Sequence, residues 1–485
     1  MAVEDEKGWV VRLDSADKAQ REGIAKTLLT PLSSGVAPGK PKVVYRHLKN
    51  GDAMLLNRQP TLHRPGIMAH RARVLKGEKV MRLHYSNCKS YNADFDGDEM
   101  NAHFPQSELA RAEAYHMVAS PRNFVVPKDG TPLQGLIQDH VIAGVKMTLR
   151  GRFFERGEYQ QLVYGALVDV PGRIRLLPPA IRKPKLLWSG KQVVSTIIIN
   201  LVPRGKAPPN LLSQAKIKAE LWVNAPQKRW HVGGYLQGRQ MTESEVVIRD
   251  GVLCSGILDK QQYGATPYSL AHLVAELYGG ESACNLLSSF SKLFTNFLRS
   301  EGFTLGVEDI LVTQAANLVR EGVMKETEVK GDACAASGVG IADKDFTKEE
   351  LTKALEDAHR ASAENPRRRA EVDRGFKGVL NKATDSINKV CLPEGLIQKF
   401  PMNNLQLMVN SGAKGSTVNT MQISCLLGQI ELEGKRPPIM ISGGSYLNKS
   451  FEVFFNCLDS RQERVYQVSK PMTRNQGQAA LLMEG

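Results

Sequence analysis

Tyr91-Asn-Ala-Asp-Phe-Asp-Gly-Asp-Glu-Met-Asn101 sets three aspartates at every second position, Asp94, Asp96 and Asp98, with Gly97 before the last of them. In an extended segment, side chains two residues apart point to the same side, so the three carboxylates are expected to converge. Gly97, having no Cβ, lets the chain bend tightly inside the cluster. Hard oxygen donors gathered in this way suit Mg2+, which keeps some water and completes its octahedron with substrate phosphates. A calcium loop of the EF-hand type also opens Asp-x-Asp-x-Asp, but it needs Gly sixth and Glu twelfth, where this chain has Glu99 and Pro105. The plain alternative is a solvated acidic turn.

The residues before the cluster favour the metal site. From Gly51 to Ser90 the chain carries Arg58, Arg64, Arg71, Arg73, Lys76, Lys79, Arg82 and Lys89 against only Asp52 and Glu78. Polyphosphate chemistry uses both kinds of charge, cations to hold phosphate oxygens and carboxylates to hold the metals that bridge them. Two glycine-rich stretches that invite a phosphate-loop reading do not fit it. In Gly412-Ala-Lys-Gly-Ser416 the lysine precedes its glycine, and between Gly443 and Ser450 Asn448 stands where glycine is required.

Asn57-Arg-Gln-Pro-Thr-Leu-His-Arg64 followed by Asn92-Ala-Asp-Phe-Asp-Gly-Asp-Glu-Met-Asn101 resembles the active centre of the largest subunit of multisubunit, DNA-directed RNA polymerases. Gly135-Leu-Ile-Gln-Asp139, Leu187-Trp-Ser-Gly-Lys-Gln192, Gly302-Phe-Thr-Leu-Gly306 and Ser411-Gly-Ala-Lys-Gly-Ser-Thr-Val-Asn-Thr-Met-Gln422 follow in the family's order. The wording of Leu407 to Gly434 is closest to the RNA polymerase I version, the enzyme of the nucleolus, and the resemblance covers roughly residues 8 to 441.

The resemblance implies a mixed α+β, multidomain chain: part of a double-psi β-barrel, then pore and funnel domains with helical hairpins. It divides the chain into an N-terminal segment and linker (1–42), the barrel part with the catalytic loop (43–120), a pore domain (121–300), funnel helices and the segment leading to the bridge helix (301–441), and a divergent tail (442–485) expected to be disordered. The implied function is nucleotidyl transfer to the RNA 3′ end in ribosomal RNA transcription. Asp94, Asp96 and Asp98 would be both catalytic and metal-holding, with one Mg2+ held by the protein and a second arriving with the nucleotide. Arg58, Pro60 and Asn92 would bind the nucleotide, and Lys414, Asn419 and Gln422 would line the funnel. The implied partners are a DNA template, the RNA product, nucleoside triphosphates, the second-largest polymerase subunit and the other subunits, in the nucleus and nucleolus.

The family subunit is far longer. A zinc-bearing clamp and the rest of the barrel would precede this chain, and a bridge helix and trigger loop would follow it, so the chain is expected to be a fragment or an alternative product that is inactive in isolation. The second reading is a noncatalytic piece that binds nucleic acid or polymerase subunits. A third, a stand-alone metal-dependent nuclease, has Arg58 and Asn92 against it.

Composition agrees with a polyanionic partner: 64 Lys and Arg against 50 Asp and Glu leave a formal charge of +14 over 485 residues. Aromatics at 6% are too sparse for a base-stacking platform. The seven cysteines are scattered with no Cys-x-x-Cys pair, which reads as free thiols in a reducing compartment, with no disulfide framework and no zinc site. The longest apolar run, Val193 to Val202, is about half a membrane span, and Met1-Ala-Val-Glu-Asp-Glu-Lys is acidic where a signal peptide is basic.

Locally, the pattern predicts helices over Ala16 to Leu29, Ser107 to Val118, Leu133 to Leu149 and Leu270 to Leu298. Ala72 and Val74, then Met81, Leu83 and Tyr85, alternate with charged neighbours and predict short strands with their apolar faces toward a core. Strands and turns are expected between Gly151 and Gly251, with no fold assigned to residues 203–250. Thr347 with Glu350 reads as a capping box, and a second apolar stripe from Val372 to Val390 predicts the other arm of a helical hairpin. His63, His70, His84, Asp139 and His140 read as structural groups.

Overall fold

The computed structural model describes residues 1–428 except 15, 29, 31–41, 223–229, 232–239, 242, 340–346, 348–349, 352 and 355–365. The linker and the divergent tail therefore lie outside the described residues. The chain forms two compact units, Met1–Leu83 with Glu99–Asn123, and His84–Asp98 with Phe124 onward.

The first unit holds two small antiparallel sheets. One orders its strands β2 (Val10–Arg12), β1 (Ala2–Glu4), β3 (Val43–Tyr45). The other orders them β5 (Ile67–Arg71), β4 (Ala53–Asn57), β6 (Asn101–His103). Helix α1 (Lys18–Leu28) buries no side chain. The next element of this unit, α3 (Glu108–His116), starts where Ser107 accepts the N–H of Ala110 at 3.1 Å, and it packs Ala114 against Ala53 and Ala69. The strands expected over 72–85 do not form: the chain leaves the sheet after Arg71, and Val80 and Met81 are exposed. Alternation gives a strand only where a ladder partner exists, and the backbone pairing stops at Ala72, whose N–H bonds the Asp52 carbonyl and whose carbonyl takes the Gly51 N–H.

The second unit has a helical core. Its centre is α4 (Asp139–Thr148), in which Val141, Ile142, Ala143, Val145 and Met147 are all buried, as expected of a helix covered on every side. The helix starts six residues later than the sequence pattern suggests, because Leu133 to Gln138 runs as irregular chain whose Leu136 N–H bonds the Tyr263 carbonyl at 2.9 Å. Helices α6 (Gly190–Leu201) and α9 (Gly280–Glu301) pack on α4, α5 (Arg156–Leu167) packs on α6 and α9, and α8 (Leu270–Tyr278) packs on α9. Gly279, at φ +89°, breaks the predicted 270–298 helix into α8 and α9. Along α9, Ala283, Leu286, Leu287, Phe290, Leu293, Phe294 and Phe297 form a stripe at three- and four-residue spacing that supplies much of this core.

The region expected to be strands and turns contains two of those helices. Trp188-Ser-Gly-Lys-Gln192 is itself a helix start: Gln192 N–H donates to Ser189 Oγ (3.3 Å) and Ser189 N–H to Gln192 Oε1 (3.0 Å). Short β7 (Phe153–Phe154) and β8 (Trp188–Ser189) pair beside it. Residues 203–250 contribute β9 (Leu211–Gln214), the small ladder β10 (Trp230–His231) with β11 (Gln240–Met241), and β12 (Glu245–Arg249), which lies between β9 and β13 (Val252–Ser255). Trp222 is fully buried edge-on against Phe400.

The helical hairpin pairs α10 (Gln314–Val339) with α11 (Pro366–Cys391): the apolar stripe from Val372 to Val390 lies in the second arm as expected, the first arm is α10, and the expected 347–358 stretch lies largely outside the described residues. The capping box at Thr347 does form, with Glu350 N–H on Thr347 Oγ1 and Thr347 N–H on Glu350 Oε2. Beyond the hairpin, α12 (Asn404–Ser411) and α13 (Thr417–Ser424) flank the Gly412–Gly415 turn. No described helix is long and apolar enough to cross a membrane.

Candidate metal centre

The aspartate loop hangs from a very short helix. Tyr85–Asn87 makes one 3-10 turn, opened by His84, whose Nδ1 accepts the Ser86 N–H at 3.1 Å, and runs into α2 (Cys88–Tyr91). Asn92 ends α2 in the left-handed conformation, φ 49° and ψ 42°, with its N–H on the carbonyls of Cys88 and Lys89. Asparagine is one of the few residues with a Cβ that take up this conformation readily, so the identity of residue 92 fits the turn it makes.

From Asp94 onward the backbone bends rather than runs extended, so the carboxylates do not converge through a two-residue repeat. The loop is closed by the Asp94 N–H, which donates to Asp98 Oδ2 at 3.1 Å, and by Gly97 at φ +117°, a region that side chains rarely adopt. One carboxylate oxygen from each of Asp94, Asp96 and Asp98 then lies within 4.8 Å of the other two. Two oxygens on opposite sides of one Mg2+ stand about 4.2 Å apart, so side-chain rotations of a few tenths of an ångström would bring this trio onto one ion. Nitrogen and sulfur ligands are absent from the trio, which fits a hard cation.

Contacts sequence reading did not anticipate support the loop. Phe95 meets Tyr85 edge-on at 5.5 Å, Tyr85 meets His140 edge-on at 4.8 Å, and His140 lies beside Phe294 on α9. His140 Nε2 also sits 3.2 Å from Thr295 Oγ1. Below α2, Lys89 Nζ donates to the Ala265 carbonyl (2.9 Å) and the Gly135 N–H to the Ser86 carbonyl (3.3 Å). The aspartate loop is thus tied through one ring stack and two hydrogen bonds to the core of the second unit.

Burial holds the His140 imidazole neutral, pushing its pKa from 6.5 down to about 4, with a smaller push from His84. An unfolded histidine binds its proton near 6.5, so between there and about 4 the unfolded chain holds more protons and stability falls as pH drops. Asp259 works in the opposite sense over an overlapping range, since burial raises it from 3.8 to about 6. Comparing variants separates the two. In urea unfolding, His140→Gln should lose about 2 kcal/mol less than the parent protein between pH 7 and pH 4.5. Identical losses would mean that His140 is not held neutral by the core.

Of the other sequence-selected residues, Arg58 and Pro60 belong to the first unit, just after β4; Arg58 is half-buried and Pro60 exposed. The cationic run around them keeps its excess charge. Asp52 is engaged by both guanidinium nitrogens of Arg46 (2.7 and 2.8 Å), which hold its carboxyl well below the usual range, and Glu78 pairs with Arg82. Arg64, Arg71, Arg73, Lys76 and Lys79 are exposed. In the second unit, Lys414 is half-buried in the turn after α12. Asn419 Oδ1 accepts from the Ser416 N–H and hydroxyl, both at 2.7 Å, so part of its polar capacity caps α13. Gln422 is half-buried on the same helix.

Residues 2–120, which include the aspartate loop, match the family RNA polymerase Rpb1, domain 2. Residues 123–310 match domain 3 and residues 347–455 match domain 4 of the same subunit. The chain is 54% identical to DNA-directed RNA polymerase I subunit RPA1 of Drosophila melanogaster over 91% of its own length and 26% of that protein. It is 40% identical to RNA polymerase I subunit RPA190 of Saccharomyces cerevisiae, over 95% of the chain and 28% of that relative. Against the yeast RNA polymerase III subunit RPC1 the identity is 32%, over 82% and 25%. The chain spans about a quarter of the length of the curated relatives it matches. With three successive domains of one subunit matched in order, and polymerase I relatives more similar than those of polymerase III, the chain belongs to the family of DNA-directed RNA polymerase largest subunits, in its polymerase I branch.

Proposed function

We propose that this chain carries the catalytic centre of an RNA polymerase I largest subunit, and that the assembled enzyme containing it extends RNA on a DNA template. The observation that carries the reading is the convergence of Asp94, Asp96 and Asp98 in a loop inside the span matched by Rpb1 domain 2. Mg2+ held by the three carboxylates would lower the pKa of the RNA 3′-hydroxyl and stabilise charge at the α-phosphate, with a further Mg2+ delivered by the triphosphate substrate. The chain's own part is positioning. Asp94, Asp96 and Asp98 supply fixed negative charge, Asp98 also braces the loop through the Asp94 N–H, and no covalent nucleophile is required. On the motif resemblance, Arg58 and Asn92, with Pro60 nearby, contact the nucleotide sugar: a guanidinium fork and an amide are suited to ribose hydroxyls. Lys414, Asn419 and Gln422 are assigned to the channel through which nucleotides arrive.

The finer architecture belongs to the same proposal. Residues 43–120 would be part of a double-psi barrel, 121–300 a pore domain and 301–441 funnel helices leading toward a bridge helix. Its partners would be template DNA, product RNA, the second-largest subunit and the remaining subunits, in the nucleus and specifically the nucleolus. The test is extension of a primed RNA–DNA scaffold by an assembled enzyme that contains this chain. Template-directed, Mg2+-dependent addition of ribonucleotides is expected, and extension indifferent to divalent ions would overturn the assignment.

A further inference from the structure

Phe95 stands between Asp94 and Asp96, so its backbone is shared with two of the three aspartates. Where its ring rests therefore sets the direction of two carboxylates at once. The ring is 54% exposed and leans edge-on against Tyr85, with centroids 5.5 Å apart and planes at 74°.

Tyr85 is held in turn from its other side. His140 meets it edge-on at 4.8 Å and 85°, and His140 is only 3% exposed. The Thr295 hydroxyl donates to the Ser291 carbonyl at 2.8 Å, so toward His140 Nε2, 3.2 Å away, it acts as acceptor. The Nε2 proton of His140 is thereby fixed, and with it the tilt of the ring. Phe294, at 6.4 Å from His140, completes a succession of rings from α9 to the aspartate loop, all of it within the second unit.

The hydrogen bonds around the loop act elsewhere. Lys89 Nζ on the Ala265 carbonyl, just past the short helix α7 (Lys260–Tyr263), and the Gly135 N–H on the Ser86 carbonyl hold α2 and the turn before it. The Asp94 N–H on Asp98 closes the loop on itself. The Phe95–Tyr85 contact joins the carboxylate-bearing segment to the core. Edge-to-face contacts are directional, because the ring quadrupoles favour particular angles, whereas an aliphatic side chain of similar bulk fills the space without setting an angle.

We propose that Tyr85, braced by His140, is a positioning residue for the metal centre: its ring holds Phe95 so that the Asp94 and Asp96 carboxylates face one divalent cation. This deepens the Mg2+ reading above and rests on it.

The test is Mn2+ titration of the full chain, read by electron paramagnetic resonance. Tyr85→Leu should raise the Mn2+ dissociation constant about fivefold, while Tyr85→Phe, which keeps both ring contacts, should stay within about twofold of the parent. Phe95→Leu should lose about as much as Tyr85→Leu, and the double variant no more than either alone, since both substitutions remove the same contact. Tyr164→Leu, at an exposed position of α5, should change nothing. In the assembled polymerase, Tyr85→Leu should raise the Mg2+ concentration for half-maximal extension about fivefold and leave the rate at saturating Mg2+ near the parent's, because the residue governs occupancy and not chemistry. Urea unfolding midpoints identify the folded variants, and Phe95→Leu, at a half-exposed ring, carries the test should Tyr85→Leu not fold. Parent-like Mn2+ affinity in a folded Tyr85→Leu or Phe95→Leu, or losses that add in the double variant, would overturn this inference and leave the metal reading intact. A parent chain that binds no Mn2+ would overturn both.

Discussion

Asp96→Ala in the assembled polymerase is expected to slow nucleotide addition on the order of a thousandfold or more, with subunit assembly unchanged. The size of the effect follows from the construction of the site. Three carboxylates are the donors that the described loop gathers for a cation, and removing the middle one leaves two, of which Asp98 also holds the Asp94 N–H. The effect should be confined to chemistry because the Asp96 side chain is exposed and supports no packing. Asp96→Asn, which keeps the shape and removes the charge, should be nearly as damaging, whereas loss of a merely steric role would spare it. Single-nucleotide addition on a primed scaffold, with co-purification of subunits as the assembly control, checks both statements. A variant that assembles and extends RNA at the parent rate would refute the role given to this loop.

Gly135→Ala is expected to destabilise the second unit by about 3 kcal/mol or more and to weaken the metal site as a consequence. A Cβ at residue 135 would stand 2.2 Å from the Ala265 nitrogen and 2.3 Å from the Gly264 carbonyl carbon. Both are main-chain atoms, and Gly264 is itself pressed against the Lys260 carbonyl, so the contact cannot be relieved by turning a side chain. The strands of chain that would have to part are those that hold the loop: the Gly135 N–H bonds Ser86, the Leu136 N–H bonds Tyr263, and Ala265 receives Lys89. Gly157→Ala, at a helical position on α5 with open space where the Cβ would go, is the control and should be neutral or slightly stabilising. Urea unfolding of both variants, together with Mn2+ titration of Gly135→Ala, measures the coupling. Stability equal to the parent's would mean that the 135–265 approach is looser than the structure shows.

The acidic loop was legible in the sequence because its chemistry is carried by neighbouring residues, but the way it closes was not. The alternation of Asp94, Asp96 and Asp98 suggests an extended claw, whereas the carboxylates meet through a bend held by Gly97 and an Asp94–Asp98 hydrogen bond. Helix α6 could have been found from Ser189-Gly-Lys-Gln192, a capping box in plain view. Helix α10 could hardly have been. It turns Asn317, Arg320 and Thr327 inward beside Ala316, Met324 and Ala336 while Leu318, Val319 and Val329 are exposed, so apolar and polar residues share the packed face and no clean stripe marks it. The buried Arg320 donates to the Cys425 carbonyl at 3.1 Å and to the Asn317 side chain, joining α10 to the chain beyond α13. The supports of the aspartate loop were illegible for a different reason. Tyr85, Gly135, His140 and Ala265 are brought together by tertiary packing, and each alone looks like an ordinary strand, turn or core residue.

The most direct test of the central claim is electron paramagnetic resonance titration of the purified chain with Mn2+, a spectroscopic stand-in for Mg2+. One site per chain, displaced by Mg2+ and lost in Asp96→Ala, is the predicted result. Binding that persists undiminished in Asp96→Ala, or a parent chain that binds no Mn2+ at millimolar concentration, would contradict it.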